Sequence, residues 1–468
     1  MSRPATLEQL RASGYRDVSV KEELRANLVA RLRRGASLFE TIIGYGDSVL
    51  PALERGILAG HDIVLLGERG QAKTRLIRHL IELLDERIPV IEGCEVNDHP
   101  YHPICARCRQ LVLERGGATP VAWIGREARY AEKLATPDTS VADLIGDVDP
   151  IRVAEGRYLA DELTIHYGLI PRTNRGIFSV NELPDLPERI QVGLLNILEE
   201  RDVQIRGYKI RLPLDLMLIA SANPEDYTHR GRIISPLKDR FGTQVRTHYP
   251  TDAAVEIAIV DQEAELPDTT GAGGPPVIVP TFIKEVLAEL TRQLRRSSQV
   301  NQRSGVSVRY TIGNMETVAS GALRRAILAG EPVAVPRPVD LWAALGASLG
   351  RIEFETLEEG REDYVLEQAL KRALVEVYRR RLGAESLTAL QQRFEEGLQV
   401  ETSETMGASG FMKQFGRVPG LARIMERLEI PEESPQSAAS GLEFALEGLH
   451  LSKRLNKTAG RGSWTFGR

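Results

Sequence analysis

Three cysteines among 468 residues are too few for a disulfide framework. No apolar run approaches the ~18 residues of a membrane span. The first residues, MSRPATLEQLRASGYRD, hold no apolar stretch of the kind a signal peptide needs, so a cytoplasmic protein is expected. A dominant charge is also missing. Sixty Lys and Arg against 65 Asp and Glu leave a net −5, which gives no global reason to expect nucleic acid as a partner, although a local basic channel can sit inside that average. Internal repeats are absent. What remains is 42% hydrophobic and 27% charged residues, over a length beyond what one core usually fills, so two or three domains are expected.

The most informative stretch is GERGQAKT, Gly67 to Thr74, which follows Ile63, Val64, Leu65 and Leu66 and runs into RLIRHLIELL. A strand, a Gly-rich turn and a helix in that order make a phosphate-binding loop. Backbone N–H groups along Gly67, Glu68, Arg69, Gly70, Gln71 and Ala72 converge on one spot, where the helix dipole also favours an anion. Lys73 is placed to reach the β- and γ-phosphates of ATP, and the Thr74 hydroxyl to ligand Mg²⁺. Ala72 occupies the second Gly of the G-x-x-x-x-G-K-[ST] template. Ala is the smallest substitute, and Gly70 supplies flexibility two residues earlier.

Residues 18 to 60 carry apolar side chains at three- and four-residue spacing and read as helix. From 62 to 250, short β-rich runs (HDIVLLG, GIFSVNE, LDLMLIASAN) alternate with helical patterns, as a parallel sheet covered by helices requires. Gly and Pro density marks a loop at 263 to 280. Helical patterns then dominate: FIKEVLAELTRQLRR, SVRYTIGNMETVASGALRRAILAG, VDLWAALGASLGRI and VLEQALKRALVEVYRRRL. The expected division is an N-terminal helical segment 1–43, an α/β nucleotide-binding domain 44–252, a helical lid 253–355, a helical extension 356–430, and a Ser-, Gly- and Lys-rich flexible tail 431–468.

Hydrolysis needs a second strand that ends in acidic residues beside the metal. Ile177 to Val180 followed by Asn181 and Glu182 fits, with Glu182 polarising the attacking water. The usual metal-contacting Asp is here Asn181, whose amide oxygen accepts from a Mg²⁺-bound water without adding charge; taken alone, the Asn-Glu pair is also an ordinary strand-terminal turn. The next strand ends in Ala222-Asn223-Pro224, and Asn223 is placed to orient water against the γ-phosphate, although Asn before Pro is also common turn chemistry. Arg240, after the short helix of ISPLKDRFG, is a candidate arginine finger reaching a neighbouring subunit, against the plainer reading of a salt bridge to Asp239 or a nearby carboxylate.

The order GERGQAKT, GIFSVNE, IASANPED, LKDRFG and SVRYTI resembles the AAA+ ATPases of the magnesium-chelatase ATPase-subunit and MoxR-like group, over about Gly44 to Arg351. The resemblance implies a P-loop α/β domain with a helical lid, ATP and Mg²⁺ as cofactors, and a homo-oligomeric ring, read as a hexamer. By the same resemblance Arg309 in SVRYTI is the second sensor arginine. The segment around Gly146, Asp149 and Gly168-Leu169 is the group's helix-two insert, and VQIRGYKIRLP, turning at Gly207-Tyr208, is a hairpin before the sensor strand. A partner carrying a von Willebrand factor A domain is implied by resemblance only. Asn181 departs from the family's Asp, and nothing after about Arg361 matches.

GCEVNDHPYHPICARCR holds Cys94, His99, His102, Cys105 and Cys108. Cys105-x-x-Cys108 has zinc-ligand spacing, and Cys94 with either histidine completes a Cys3His set, His102 being the one taken here. Reduced, unliganded thiols in a Pro-rich loop are the alternative. The expected function is ATP hydrolysis at ring interfaces that remodels or activates a partner protein. Two rivals are an ATP-binding scaffold weakened by Asn181 and a DNA-remodelling motor using Arg206, Lys209 and Arg211 of the hairpin. The negative net charge counts against the motor.

Overall fold

Runs of Ile, Val, Leu, Phe and Ala without polar alternation are the pattern of strands covered on both faces. In the computed structural model of the chain, Ile63–Leu66, Gly176–Asn181 and Leu216–Ala222 are strands buried along their whole length. The structure describes residues 3–148, 164–200, 202–204, 211–223, 232–301, 304–355, 360–383, 387–430, 434–460 and 462–468. They fall into two compact units, Met1–His248 and Tyr249–Arg468.

The strands of the first unit are β1 (Ile63–Leu66), β2 (Arg87–Ile91), β3 (Val121–Gly125), β4 (Tyr130–Leu134), β5 (Gly146–Val148), β6 (Ile165–Tyr167), β7 (Gly176–Asn181), β8 (Asp202–Gln204), β9 (Arg211–Pro213), β10 (Leu216–Ala222) and β11 (Thr243–Arg246). Five of them form one sheet in the order β11-β1-β10-β7-β4, parallel at every pairing. This is the expected P-loop α/β fold. Side chains alternate across the sheet. Ile63, Leu65, Ile177, Met217 and Ile219 join the core with helices Val20–Arg33, Val49–Ala59 and Lys73–His79. Val64, Leu66, Phe178, Val180 and Leu218 join the opposite core with helix Glu188–Glu199. Ser19 and Glu22 cap the first of these helices reciprocally, which fixes its start.

Three smaller antiparallel pairs, β2–β3, β5–β6 and β8–β9, complete the unit. Gly146 opens β5 opposite Tyr167, and the Gly168 N–H donates to Ile145 O at 3.0 Å, so these two glycine positions of the expected insert lie together. Asp149, Pro224 and the hairpin residues Arg206, Gly207, Tyr208 and Lys209 lie outside the described residues.

The second unit is mainly helical: Ala253–Glu263, Thr281–Arg295, Val308–Ala329, Pro338–Ser348, Glu362–Leu382 and Pro435–Leu451 share a core that includes Phe282, Leu290, Val318, Leu374 and Phe444. Strands β12 (Val400–Thr402), β13 (Asn456–Ala459) and β14 (Trp464–Gly467) form an antiparallel sheet in the order β12-β14-β13. The flexible tail expected at 431–468 is thereby corrected. Pro435–Leu451 is buried from Gln436 to Leu449, and its small residues are packing devices. A Cβ on Gly448 would lie 1.9 Å from the Tyr378 ring, and one on Gly441 3.0 Å from Ile430. Its two central acids are satisfied inside the fold. Glu443 accepts from Val339 N at 3.0 Å and Thr402 Oγ1 at 3.1 Å, and Glu447 pairs with Lys457 at 2.7 Å.

Candidate functional site

At the C-terminal end of β1 the chain turns into the loop 67–72. Gly67 N–H donates to Ala222 O of β10 at 3.1 Å. A Cβ there would fall 1.7 Å from Thr247 Oγ1 and 2.3 Å from Gln71 Oε1, so only glycine fits. Gln71 is buried and laces the loop, accepting from Glu68 N at 3.0 Å and from Thr247 Oγ1 at 2.7 Å. Gly70 and Ala72 both have left-handed backbone, φ 74° and 55°. Ala72 thus carries the conformation that the template assigns to glycine, at a steric cost of roughly 1–2 kcal/mol. Lys73 begins the helix, is 7% exposed, and folds its ammonium back onto the loop, donating to Gly67 O and, at 2.9 Å, to Glu68 O. Thr74 follows, half-buried.

Register brings the other strand ends to the same edge. Leu66 pairs with Ala222, and Ala220 with Val180, so the residues beyond β1, β10 and β7 are neighbours. Glu182 leaves β7 in left-handed backbone, φ 55°, ψ 50°, and its N–H donates to Ser221 Oγ at 3.3 Å. A non-glycine residue held there at a strand end is uncommon and marks a position the surroundings impose. Asn223 follows β10, 4% exposed, and its Oδ1 has no hydrogen-bond partner among the described residues. Such an orphaned acceptor at a buried strand end suits a group that receives a partner from outside the chain.

Asn181 is more committed than the sequence suggests. Its Nδ2 donates to Glu132 Oε1 at 2.9 Å, and its Oδ1 accepts from Ser221 Oγ at 3.2 Å. Glu132, on β4, was not anticipated. A forked pair of hydrogen bonds from Arg78, 2.9 and 3.0 Å, holds its carboxyl below the usual carboxylate range. Tyr45 was missed as well. Its hydroxyl donates to Gln71 O at 3.0 Å and to His248 O at 2.9 Å, tying the loop to the segment after β11, and burial pushes its pKa up to about 12.

Arg240 ends helix Ser235–Arg240 and is paired within the same chain, with Glu199 at 2.7 Å; the carboxylate partner is Glu199 and not Asp239. Arg309 lies in the second unit, exposed, in the first turn of helix Val308–Ala329, with its N–H capped by Ser307 Oγ at 3.1 Å.

The cysteines do converge. Ligand atoms of Cys94, Asp98, Cys105 and Cys108 lie within 4.8 Å of one another. His102 is corrected as the fourth member: its side chain is 74% exposed and turned to Asp17, 3.7 Å away. His99 is buried but also faces Asp17, at 3.3 Å. Asp98 takes the place because the loop curls, its N–H donating to Cys94 Sγ at 3.3 Å. Burial raises the Asp98 carboxyl to about 7, and hydrogen bonds from the Cys105 and Cys108 thiols bring Cys94 down to about 4.

Residues 155–240 match the Sigma-54 interaction domain family. The magnesium-chelatase subunit ChlI of Nostoc sp. is 28% identical over 272 residues, covering 57% of this chain and 66% of that protein. The magnesium-chelatase 38 kDa subunit of Rhodobacter capsulatus is 27% identical over 253 residues, 50% and 64% of the two chains. This chain therefore spans just under two thirds of the length of these relatives. A chain from the structure of the complex between subunits BchI and BchD of magnesium chelatase aligns at 21% identity with a TM-score of 0.35, over 71% of this chain and 98% of that one.

Proposed function

We propose that this chain, an AAA+ relative of the magnesium-chelatase ATPase subunits, binds and hydrolyses MgATP at the strand ends of its first unit and uses the turnover to remodel or activate a partner protein. The observation that carries the reading is the convergence, on one sheet edge, of a loop whose Gly67 tolerates no side chain, a Lys73 ammonium folded over that loop, Glu182 in imposed left-handed backbone, and an Asn223 Oδ1 with no partner among the described residues. The donor set fits the nucleotide. Lys73 would exchange loop carbonyls for phosphate oxygens, and the N–H groups of 67–72 would cradle them. Thr74 would hold Mg²⁺, with Asn181 reaching it through water. The ion, when bound, neutralises phosphate charge. Glu182 orients and deprotonates the attacking water, and Asn223 aligns it.

Arg240 acts from the neighbouring subunit of a homo-oligomeric ring, read as a hexamer, and must leave Glu199 to do so. The sensor role of Arg309 and a von Willebrand factor A partner, as in MoxR-like proteins, rest on resemblance. The lid and extension boundaries, 253–355 and 356–430, follow the helical patterns of the sequence, and a cytoplasmic setting is part of the same proposal. One observation favours a second reading, an ATP-binding scaffold with slow hydrolysis: both ends of the Asn181 amide are taken by Glu132 and Ser221.

The test is equilibrium ATP binding and steady-state hydrolysis by wild type and Lys73→Ala. Binding and turnover in wild type, with both lost in a folded Lys73→Ala, are the expected results. Undiminished binding by Lys73→Ala contradicts the site. Tight binding without turnover in wild type selects the scaffold.

A further inference from the structure

The loop after β2 and the first turn of helix Ala106–Arg115 bring together four groups that nucleotide chemistry does not use. From their arrangement we propose that Cys94, Asp98, Cys105 and Cys108 hold one tetrahedral zinc ion that staples this loop to the start of the helix that follows it. Four donors within 4.8 Å of one another are close to what tetrahedral zinc requires: Zn–S near 2.3 Å and Zn–O near 2.1 Å place ligand atoms roughly 3.5–3.8 Å apart. A small inward movement of the side chains closes the set.

Two independent features point to a cation. Asp98 is fully buried, and its Oδ1 has no hydrogen-bond partner among the described residues, an arrangement that is costly for a carboxylate unless it is matched by a charge. Its other oxygen accepts from Cys105 N at 3.0 Å, which aims the free oxygen as an outer-shell contact aims a ligand. The sulfurs are prepared in the same way. Cys94 Sγ accepts from Asp98 N at 3.3 Å, and Cys105 Sγ from Cys108 N at 3.4 Å, contacts that orient the sulfurs as an outer shell orients ligands. None of the three cysteines is in a disulfide. Three thiolates and one carboxylate with no open position select zinc over harder cations and describe a structural site. Cys94, only partly buried, leaves an entry path.

The loop's outer contacts give the ion its consequence. Asn97 Nδ2 donates to Arg172 O at 2.8 Å, and Asn174 Nδ2 to Val96 O at 3.0 Å. Both tie it to the turn that enters β7. An ordered loop thus buttresses the strand that ends at Asn181 and Glu182.

The experiment is elemental analysis of the full chain purified without a metal-binding tag, with thermal unfolding measured in parallel. About one zinc per chain is expected in wild type and in His102→Ala, and loss of at least about tenfold in Cys105→Ser and Asp98→Ala, with a lower Tm in both. Because those variants can fail to fold, wild type grown with cobalt provides a second reading. The intense visible absorption of tetrahedral thiolate-bound cobalt is expected, shifted in Asp98→Asn. Wild type free of zinc and showing no such absorption overturns the proposal. Zinc lost from a folded His102→Ala overturns the assignment of Asp98.

Discussion

In the proposed site an amide at position 181 takes the place of a metal-contacting carboxylate, and its neighbour is the Glu132 carboxylate, 49 residues earlier in the chain. Asn181→Asp restores charge at nearly constant volume, and a charge-assisted hydrogen bond to metal-bound water is about twice as strong as a neutral one. The Mg²⁺ concentration for half-maximal ATPase activity should fall by roughly threefold to tenfold, the equivalent of about 0.7–1.4 kcal/mol. The same substitution replaces the donor to Glu132 with a like charge, so without Mg²⁺ one of the two carboxyls should titrate upward and the fold should lose about 1 kcal/mol. Asn181→Asp combined with Glu132→Gln should keep the Mg²⁺ gain and recover the stability. Mg²⁺ titrations and denaturant unfolding of the three proteins check this, and a titration of Asn181→Asp that overlies wild type would show that position 181 does not face the ion. The positions of Glu182 and Asn223 at strand ends, and of Lys73 at the helix start after a Gly-rich loop, were legible in the sequence because local strand and turn signals place them; their roles belong to the proposal. Glu132, Tyr45 and Asp98 were not legible. Glu132 and Tyr45 act through partners far along the chain, and Asp98 through a loop curl, and none of them leaves a periodic signal.

Whole elements show the same division between local and distant causes. The phosphate loop reads directly from its glycines, yet Ala72 bears left-handed backbone at φ 55°. Ala72→Gly should therefore stabilise the first unit by about 0.5–1 kcal/mol, the steric relief exceeding the added unfolded-state entropy. Chemical denaturation measures the sign, and a loss of stability would mean that the surroundings already absorb the strain. The sheet was likewise legible, since its central strands are uninterrupted apolar runs. Helix Pro435–Leu451 was not, because Ser, Gly and Ala in PQSAASGLEFALEGLHL look like a tail when the element that needs the close approach, Tyr378 in helix Glu362–Leu382, is out of view. Gly448→Ala decides between the two. In a free helix or tail it is neutral or stabilising, but against the Tyr378 ring it should cost about 1–3 kcal/mol by overpacking.

At the scale of the molecule, two units share one chain and the proposed chemistry needs more than one copy of it. Arg240→Ala should leave ATP binding nearly intact while lowering turnover by roughly 10³-fold or more. Mixed with Lys73→Ala, it should regain part of the activity, because one class of interface then holds an intact pocket and an intact arginine. No recovery in assemblies shown to contain both variants would place Arg240 in the Glu199 pair alone, outside the chemistry. The central claim is hydrolysis at the Lys73–Glu182 site, and the most direct measurement is the identity of the nucleotide that Glu182→Gln retains after prolonged incubation with MgATP. Bound nucleotide recovered as ATP, with wild type under the same conditions yielding ADP, is the predicted result. ADP formed by Glu182→Gln at the wild-type rate would contradict it.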